Sequence, residues 1–170
     1  MRTDRRLFEK LALEGFQAGL SWRTILAKRA AFRRAFHDFE PARVARFGRR
    51  DVTRLLGDAG IVRHRGKIEA AIQNARGVLA IAADHGSFAR WVWRFAPAPS
   101  RPPRNRHAVP AVSQESQALA GALKEHGFRF VGPTTVYAFM QAMGLVNDHL
   151  EGCAMREPAL ARRARLRLPR

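Results

Sequence analysis

Cysteine, tyrosine and lysine are nearly missing from this chain of 170 residues, which has one Cys, one Tyr and four Lys. The single thiol, Cys153, excludes an internal disulfide and fits a reducing compartment. No apolar run approaches the roughly 20 residues of a membrane span. The N-terminal MRTDRRLFEKL is charged and holds no apolar signal core. Together these absences predict a soluble protein of the cytoplasm, with no membrane partner. Acids are scarce as well, 14 Asp and Glu against 31 Lys and Arg, for a net charge of +17. Strand signals are almost absent, which leaves helices to build the fold.

The basic excess is arginine, 27 residues of it. An Arg- and Ala-rich composition explains part of this, because Arg replaces Lys on any solvated face. The deficit of acids is not explained that way. The segment from Arg156 onward carries +5, leaving +12 on the remainder. Such a field favours a polyanion, nucleic acid first. An anionic membrane surface is the weaker alternative, since no long helix sets a clean basic face opposite an apolar one. With 46% apolar residues the chain has enough to bury a core, so it is one globular domain rather than a disordered basic protein.

Helix signals recur along the chain. Asp4 is placed to cap a first helix reaching about Glu14, and Ser21 a second over residues 22–36. Pro41 suits the first position of a short helix, PARVARF. DVTRLLGDAG reads as a helix stopped by Gly60, and a long helix follows from Ile68 to Gly86. Ser87 and Ser113 are further caps, and Gly132-Pro133 opens the apolar TTVYAFMQAMG. Residues 96–112, rich in Pro and Arg, read as an exposed excursion. The Arg-rich segment 156–170 reads as a frayed, disordered tail after a domain spanning 1–155. The predicted fold class is all-α.

Four features carry chemistry. LLGDAGIVRHRGKIEAAIQNAR is a helix, a tight turn and a second helix entered through Arg63, His64, Arg65 and Lys67. A helix-hairpin-helix of this form grips DNA by offering backbone N–H groups and a helix N-terminus to a phosphate. The competing reading is an ordinary helical hairpin with a solvated basic corner, and Val62 stands where a fuller signature repeats glycine. His149 and Cys153 share a helical face at a spacing of four, which suits two ligands of a zinc site or simply a thiol beside a histidine. Glu14 is a carboxylate in apolar surroundings near glycines, so it needs a partner or a purpose. Trp22 and Tyr137 are either core aromatics or a platform for a flipped base. None of the four lysines, Lys10, Lys28, Lys67 and Lys124, sits in a recognisable pocket motif, so no lyase step is expected.

LALEGFQAGLSW, DAGIVRHRGKIEAAIQNAR, GFRFVGPTTVYAFMQAMGLVNDH and the closing GC closely resemble the bacterial type I 3-methyladenine DNA glycosylases. The resemblance covers roughly residues 4–155, nearly the whole chain. It implies an all-helical, helix-hairpin-helix glycosylase fold acting as a monomer on double-stranded alkylated DNA. The implied reaction is monofunctional excision of 3-methyladenine by cleavage of the N-glycosidic bond in base excision repair. Glu14 matches the catalytic, base-recognising carboxylate, and Trp22 matches the aromatic residue that stacks in the base pocket; Tyr137 is expected to bind the substrate beside it. Gly19 and Leu20 match the loop that enters the duplex where the base has left. Gly60, Arg63, His64, Arg65, Gly66 and Lys67 match the DNA-gripping hairpin.

His149 and Cys153 match half of a structural zinc site. Members usually carry about two dozen further residues upstream, with the other two ligands and several pocket aromatics. This sequence starts after that segment, so two of four zinc ligands are present. The alternative expectation is a truncated, catalytically impaired DNA-binding protein that retains the hairpin.

Overall fold

A computed structural model describes residues 3–168, and helices are the only regular secondary structure among them. The helices are α1 (Asp4–Gln17), α2 (Trp22–Ala35), α3 (Pro41–Val44), α4 (Arg49–Gly57), α5 (Arg65–His85), α6 (Phe88–Trp93), α7 (Gln114–Glu125), α8 (Pro133–Met143) and α9 (Arg156–Ala164). None of the described helices is long and apolar enough to cross a membrane.

α1 is the hub. Leu7, Phe8, Leu11, Ala12, Leu13 and Phe16 are all buried, a wider stripe than one face of a surface helix, and α1 packs against both α5 and α8. An aromatic seam joins it to α2 and the turn beyond. Phe16 meets Phe32 and Phe36, and Phe36 stacks parallel on Phe39 at 5.3 Å. That stack depends on a tight left-handed turn, because His37, Asp38 and Phe39 all have φ above +50°. The burial of Phe39 offsets the strain of such a backbone. In α5, Gly77 is required by packing, since a β-carbon there would lie 2.3 Å from the ring of Phe128.

Ser21, Ser87 and Ser113 cap as the sequence predicts, each hydroxyl accepting the N–H three residues on, and Pro41 and Pro133 occupy first turns. Four expectations are corrected. Asp4 does not cap α1: its carboxylate accepts from the N–H groups of Phe88 and Ala89, capping α6 instead. α1 runs on to Gln17, so Glu14 lies inside the helix rather than at its end. α4 stops at Gly57 rather than Gly60, because the Asp58 side chain accepts the Gly60 N–H at 2.8 Å and turns the chain. α5 starts three residues early, at Arg65, because the His64 ring caps it by accepting from the Lys67 N–H.

The Arg-rich tail is corrected too. Residues 156–164 form α9, fastened at both ends by guanidinium groups. Arg156 is buried and donates to the carbonyls of Asn147, His149 and Ser100. Arg163 donates to those of Leu145 and Pro97. The excursion over residues 96–112 is thereby tied to α9, although most of it is exposed as expected. Composition suggested disorder, but two arginines placed opposite free carbonyls supply the anchoring that composition cannot show.

Candidate functional site

Glu14 and Trp22 come together through a helix and a tight turn. Around the four residues 18–21, the Leu20 N–H donates to the Gln17 carbonyl at 2.6 Å and the Gln17 amide returns a hydrogen bond to the Leu20 carbonyl. Gly19 takes φ +82° with nothing within 4 Å of a β-carbon position, a backbone that favours glycine, and Leu20 stands out at 39% exposure. This turn presents an apolar tip and sends Trp22 back beside α1.

Behind the tip lies a cleft of about 610 Å³, within the range typical of small-molecule sites. Glu14, Lys10 and Trp22 line it together with Gln141, Asp148 and His149. Glu14 is 2% exposed. Burial lifts its carboxyl above the usual carboxylate range, while the hydrogen bond and charge of Lys10 pull in the opposite direction. The Lys10 ammonium lies 2.7 Å from Glu14 Oε1 and 3.6 Å from the centroid of the Trp22 ring. A carboxylate and an indole face together make a receptor for a cation of low hydration. No sequence motif marked Lys10 as a pocket residue, yet it lines this cleft. The i, i+4 spacing from Glu14 was the available sequence signal.

Tyr137 does not line this cleft. It is buried in α8 and its hydroxyl donates to Asp148, which also accepts from Gln141 at 2.9 Å. Burial and the Asp148 carboxylate both hold the phenol in its protonated form. Tyr137 therefore positions Asp148, a cleft residue that the sequence reading passed over. α9 also reaches the cleft through Ala159.

The hairpin residues divide into two groups. Arg63, His64 and Arg65 are exposed, and Arg65 and Gly66 open α5, where the first N–H groups have no partner within the helix. Gly60 and Lys67 face inward. Gly60 has its N–H closed on Asp58, and a β-carbon there would meet that of Ala31 at 2.9 Å, so this glycine serves packing and the turn. Lys67 is 8% exposed and its ammonium donates to the carbonyls of Phe16 and Ala18. It therefore cannot reach a phosphate in this conformation; it ties the end of α1, just before the Gly19-Leu20 tip, to the hairpin. Two carbonyls satisfy this ammonium, although burial lowers its pKa. Phe130, with φ +56° and 38% exposure, stands edge-on to His64 on the same side. It was not singled out from sequence, although an exposed aromatic held in strained backbone beside a binding element is a site feature. A groove of about 770 Å³ runs beside the hairpin and gathers Arg49, Arg65, Arg76 and Arg129.

His149 Nδ1 and Cys153 Sγ lie 3.5 Å apart, but in the turn between α8 and α9 rather than on the shared helical face that their spacing suggested. Two donors make half of a tetrahedral set, and among the described residues no three His, Cys, Asp or Glu side chains gather for a metal. The residues described do not fit a complete structural zinc site.

Similarity to known proteins extends along the chain. A family model described as methyladenine glycosylase matches residues 1–157. The chain is 49% identical over 155 residues to DNA-3-methyladenine glycosylase 1 of Escherichia coli strain K12, covering 88% of this chain and 81% of that protein. It is 45% identical over 153 residues to the DNA-3-methyladenine glycosylase of Haemophilus influenzae, covering 88% and 82% respectively. A solved structure of 3-methyladenine DNA glycosylase I superposes with a TM-score of 0.86 at 50% identity, over 91% of this chain and 86% of that one. The Staphylococcus aureus 3-methyladenine DNA glycosylase I, solved to explain 3-methyladenine recognition, gives 0.87 at 38% identity over 92% and 84%. The all-helical fold, the buried carboxylate beside an aromatic face and this likeness over nearly all of the sequence agree: the chain belongs to the methyladenine glycosylase family.

Proposed function

We propose that the cleft between Glu14 and Trp22 receives a 3-methyladenine swung out of double-stranded DNA. Membership of the family makes the reaction hydrolysis of the N-glycosidic bond that holds this base, a step of DNA repair. The observation that carries the site assignment is the pairing of a buried carboxylate with an indole face around one cation position.

The chemistry suits that geometry. Methylation at N3 leaves adenine in DNA with a positive charge, so Glu14 favours it over the neutral base and Trp22 offers a stacking face. The same charge makes the base a good leaving group. The protein then needs mainly to expel water from the cleft, orient the sugar and let a water attack the carbon the base departs from. Lys10, the lysine at this cleft, is engaged by Glu14 and Trp22, which agrees with a monofunctional enzyme without a lyase step.

Around the cleft, Gly19-Leu20 supplies an apolar wedge for the vacated stack. The helix-hairpin-helix contributes Arg63, His64, Arg65 and the opening N–H groups of α5, including that of Gly66, to one phosphate. The arginine groove supplies further backbone contacts independent of sequence. The +17 charge makes that grip salt-dependent. The protein acts as a monomer, and the free thiol and DNA partner suit the cytoplasm.

The test is release of free 3-methyladenine from methylated duplex DNA by the purified chain. Release that follows enzyme concentration supports the assignment. Duplex binding without release would leave only the alternative of a DNA-binding protein that has lost catalysis.

A further inference from the structure

The ammonium of Lys10 raises a question that the function alone does not answer. It occupies the position that a cationic base would need, with Glu14 Oε1 at 2.7 Å on one side and the Trp22 ring centroid at 3.6 Å on the other. A helix-stabilising ion pair does not explain this arrangement. Lys preceding Glu at i, i+4 is the less favourable order on a helix, and such pairs are made on exposed faces. Here the lysine side chain is 19% exposed and the glutamate 2% exposed, and both line the cleft. The other ionisable groups lining the same space are Asp148 and His149.

We propose that Lys10 is an internal stand-in for the substrate's charge: it fills the cation position between Glu14 and Trp22 while the cleft is empty, and yields it to a cationic purine. This rests on the base-pocket reading above and adds to it a displacement step that every entering base must accomplish. A neutral purine that displaced Lys10 would leave Glu14 buried without a counter-charge, a costly state. A cationic purine restores the pairing as it enters. Displacing Lys10 therefore lowers the affinity for cationic and neutral bases alike, and only a base that restores the pairing with Glu14 keeps useful occupancy of the cleft. Lys10 has a flexible four-carbon stem and is still partly open to water, so its ammonium can swing out and rehydrate.

The experiment compares the purified chain with Lys10→Met, which keeps the unbranched stem, and Lys10→Arg, which keeps the charge. The probes are the permanently cationic 3,9-dimethyladeninium ion and neutral 9-methyladenine, titrated by calorimetry at pH 8, with melting temperatures recorded alongside. The expected result is about tenfold tighter binding of both probes by Lys10→Met, because neither then has to displace an ammonium, with the preference for the cation, which Glu14 sets, unchanged. Lys10→Arg, which keeps a charge to be displaced, should bind both probes as weakly as the original chain. Equal or weaker cation binding by Lys10→Met, while Glu14→Gln abolishes it in the original chain, would overturn the stand-in role and leave the base pocket standing. If no variant binds the cation and none releases 3-methyladenine from methylated DNA, the pocket assignment falls, and the role of Lys10 falls with it.

Discussion

Glu9 and Glu14 lie five residues apart on α1, at 5% and 2% exposure. Glu9 faces α2, where Arg29 and Arg33 donate to it at 2.8 and 2.9 Å and Arg33 adds a second contact at 3.2 Å. Burial tends to raise its pKa, but the bonds and charges of the two arginines outweigh that and hold the carboxyl below its ordinary range. Glu14 faces the cleft and has Lys10 alone, so burial wins and its carboxyl is lifted. Two carboxylates with similar burial are set to different work by the number of cations within reach. The doubly paired Glu9 ties α1 to α2, whereas the singly paired Glu14 keeps capacity for a further positive charge. Perturbed acids that have not been fully compensated by structure are the ones to suspect of function.

The largest expected effect is on Glu14. Glu14→Gln should slow release of 3-methyladenine about 10- to 100-fold, since a hydrogen bond to a charged group is worth ~1.5–3 kcal/mol. Duplex binding, measured on unmethylated DNA, should hardly change. Equal losses in both would remove the distinction between the two acids.

Glu9→Gln should do the reverse. It should cost about 1–3 kcal/mol of stability in urea unfolding and leave base release per folded molecule intact. The lower end is expected, because Arg29 and Arg33 are 45% and 43% exposed and can rehydrate. A fall in base release by folded Glu9→Gln protein would give Glu9 a share in the site.

Lys67→Met sharpens the comparison from the cationic side. It frees the Phe16 and Ala18 carbonyls at the end of α1, and should cost about 1 kcal/mol as a lost cap. It should also loosen the Gly19-Leu20 tip. Excision from duplex DNA should therefore fall several-fold, while binding of the free base to the cleft stays unchanged.

The smallest effect is the pH dependence of stability. Glu9 has a lowered folded pKa, so its contribution is present above the ordinary carboxylate value of 4.5 and is lost as pH falls through the folded value. Glu14 has a raised folded pKa, so its cost appears as pH rises through 4.5 and is complete above the folded value. Thermal melts of Glu14→Gln should accordingly show a modest gain over the original chain at pH 7 that disappears near pH 4. Melts of Glu9→Gln should show a deficit at pH 7 that narrows as the solution becomes more acidic.

The serine caps, the proline starts and the all-helical class were legible because they depend on a few neighbouring residues and the 3.6-residue period. Glu14 and Trp22 were legible through the resemblance of LEGFQAGLSW to a family. Lys10 was passed over although its spacing from Glu14 was visible, because a lone i, i+4 pair on a helix is ordinary. Tyr137 and Lys67 were given contacts with base and DNA, but the fold turns both inward. The reason is reach. Which carbonyl or carboxylate a side chain satisfies depends on residues 49 and 51 positions away for Lys67, and 11 for Tyr137.

The sequence by itself determined the helices before α9, the basic field and the family. It could do so because periodicity, capping and composition are local properties, and because the matching segments span nearly the whole chain. Only the tertiary structure decided which buried charges are spent and which remain open. It closed Glu9 on two arginines, turned Lys67 onto the end of α1, drew α9 against the cleft and laid the ammonium of Lys10 between Glu14 and Trp22. Counter-charges are shared out by proximity in space, and no spacing along the chain records who stands next to whom once the helices have packed.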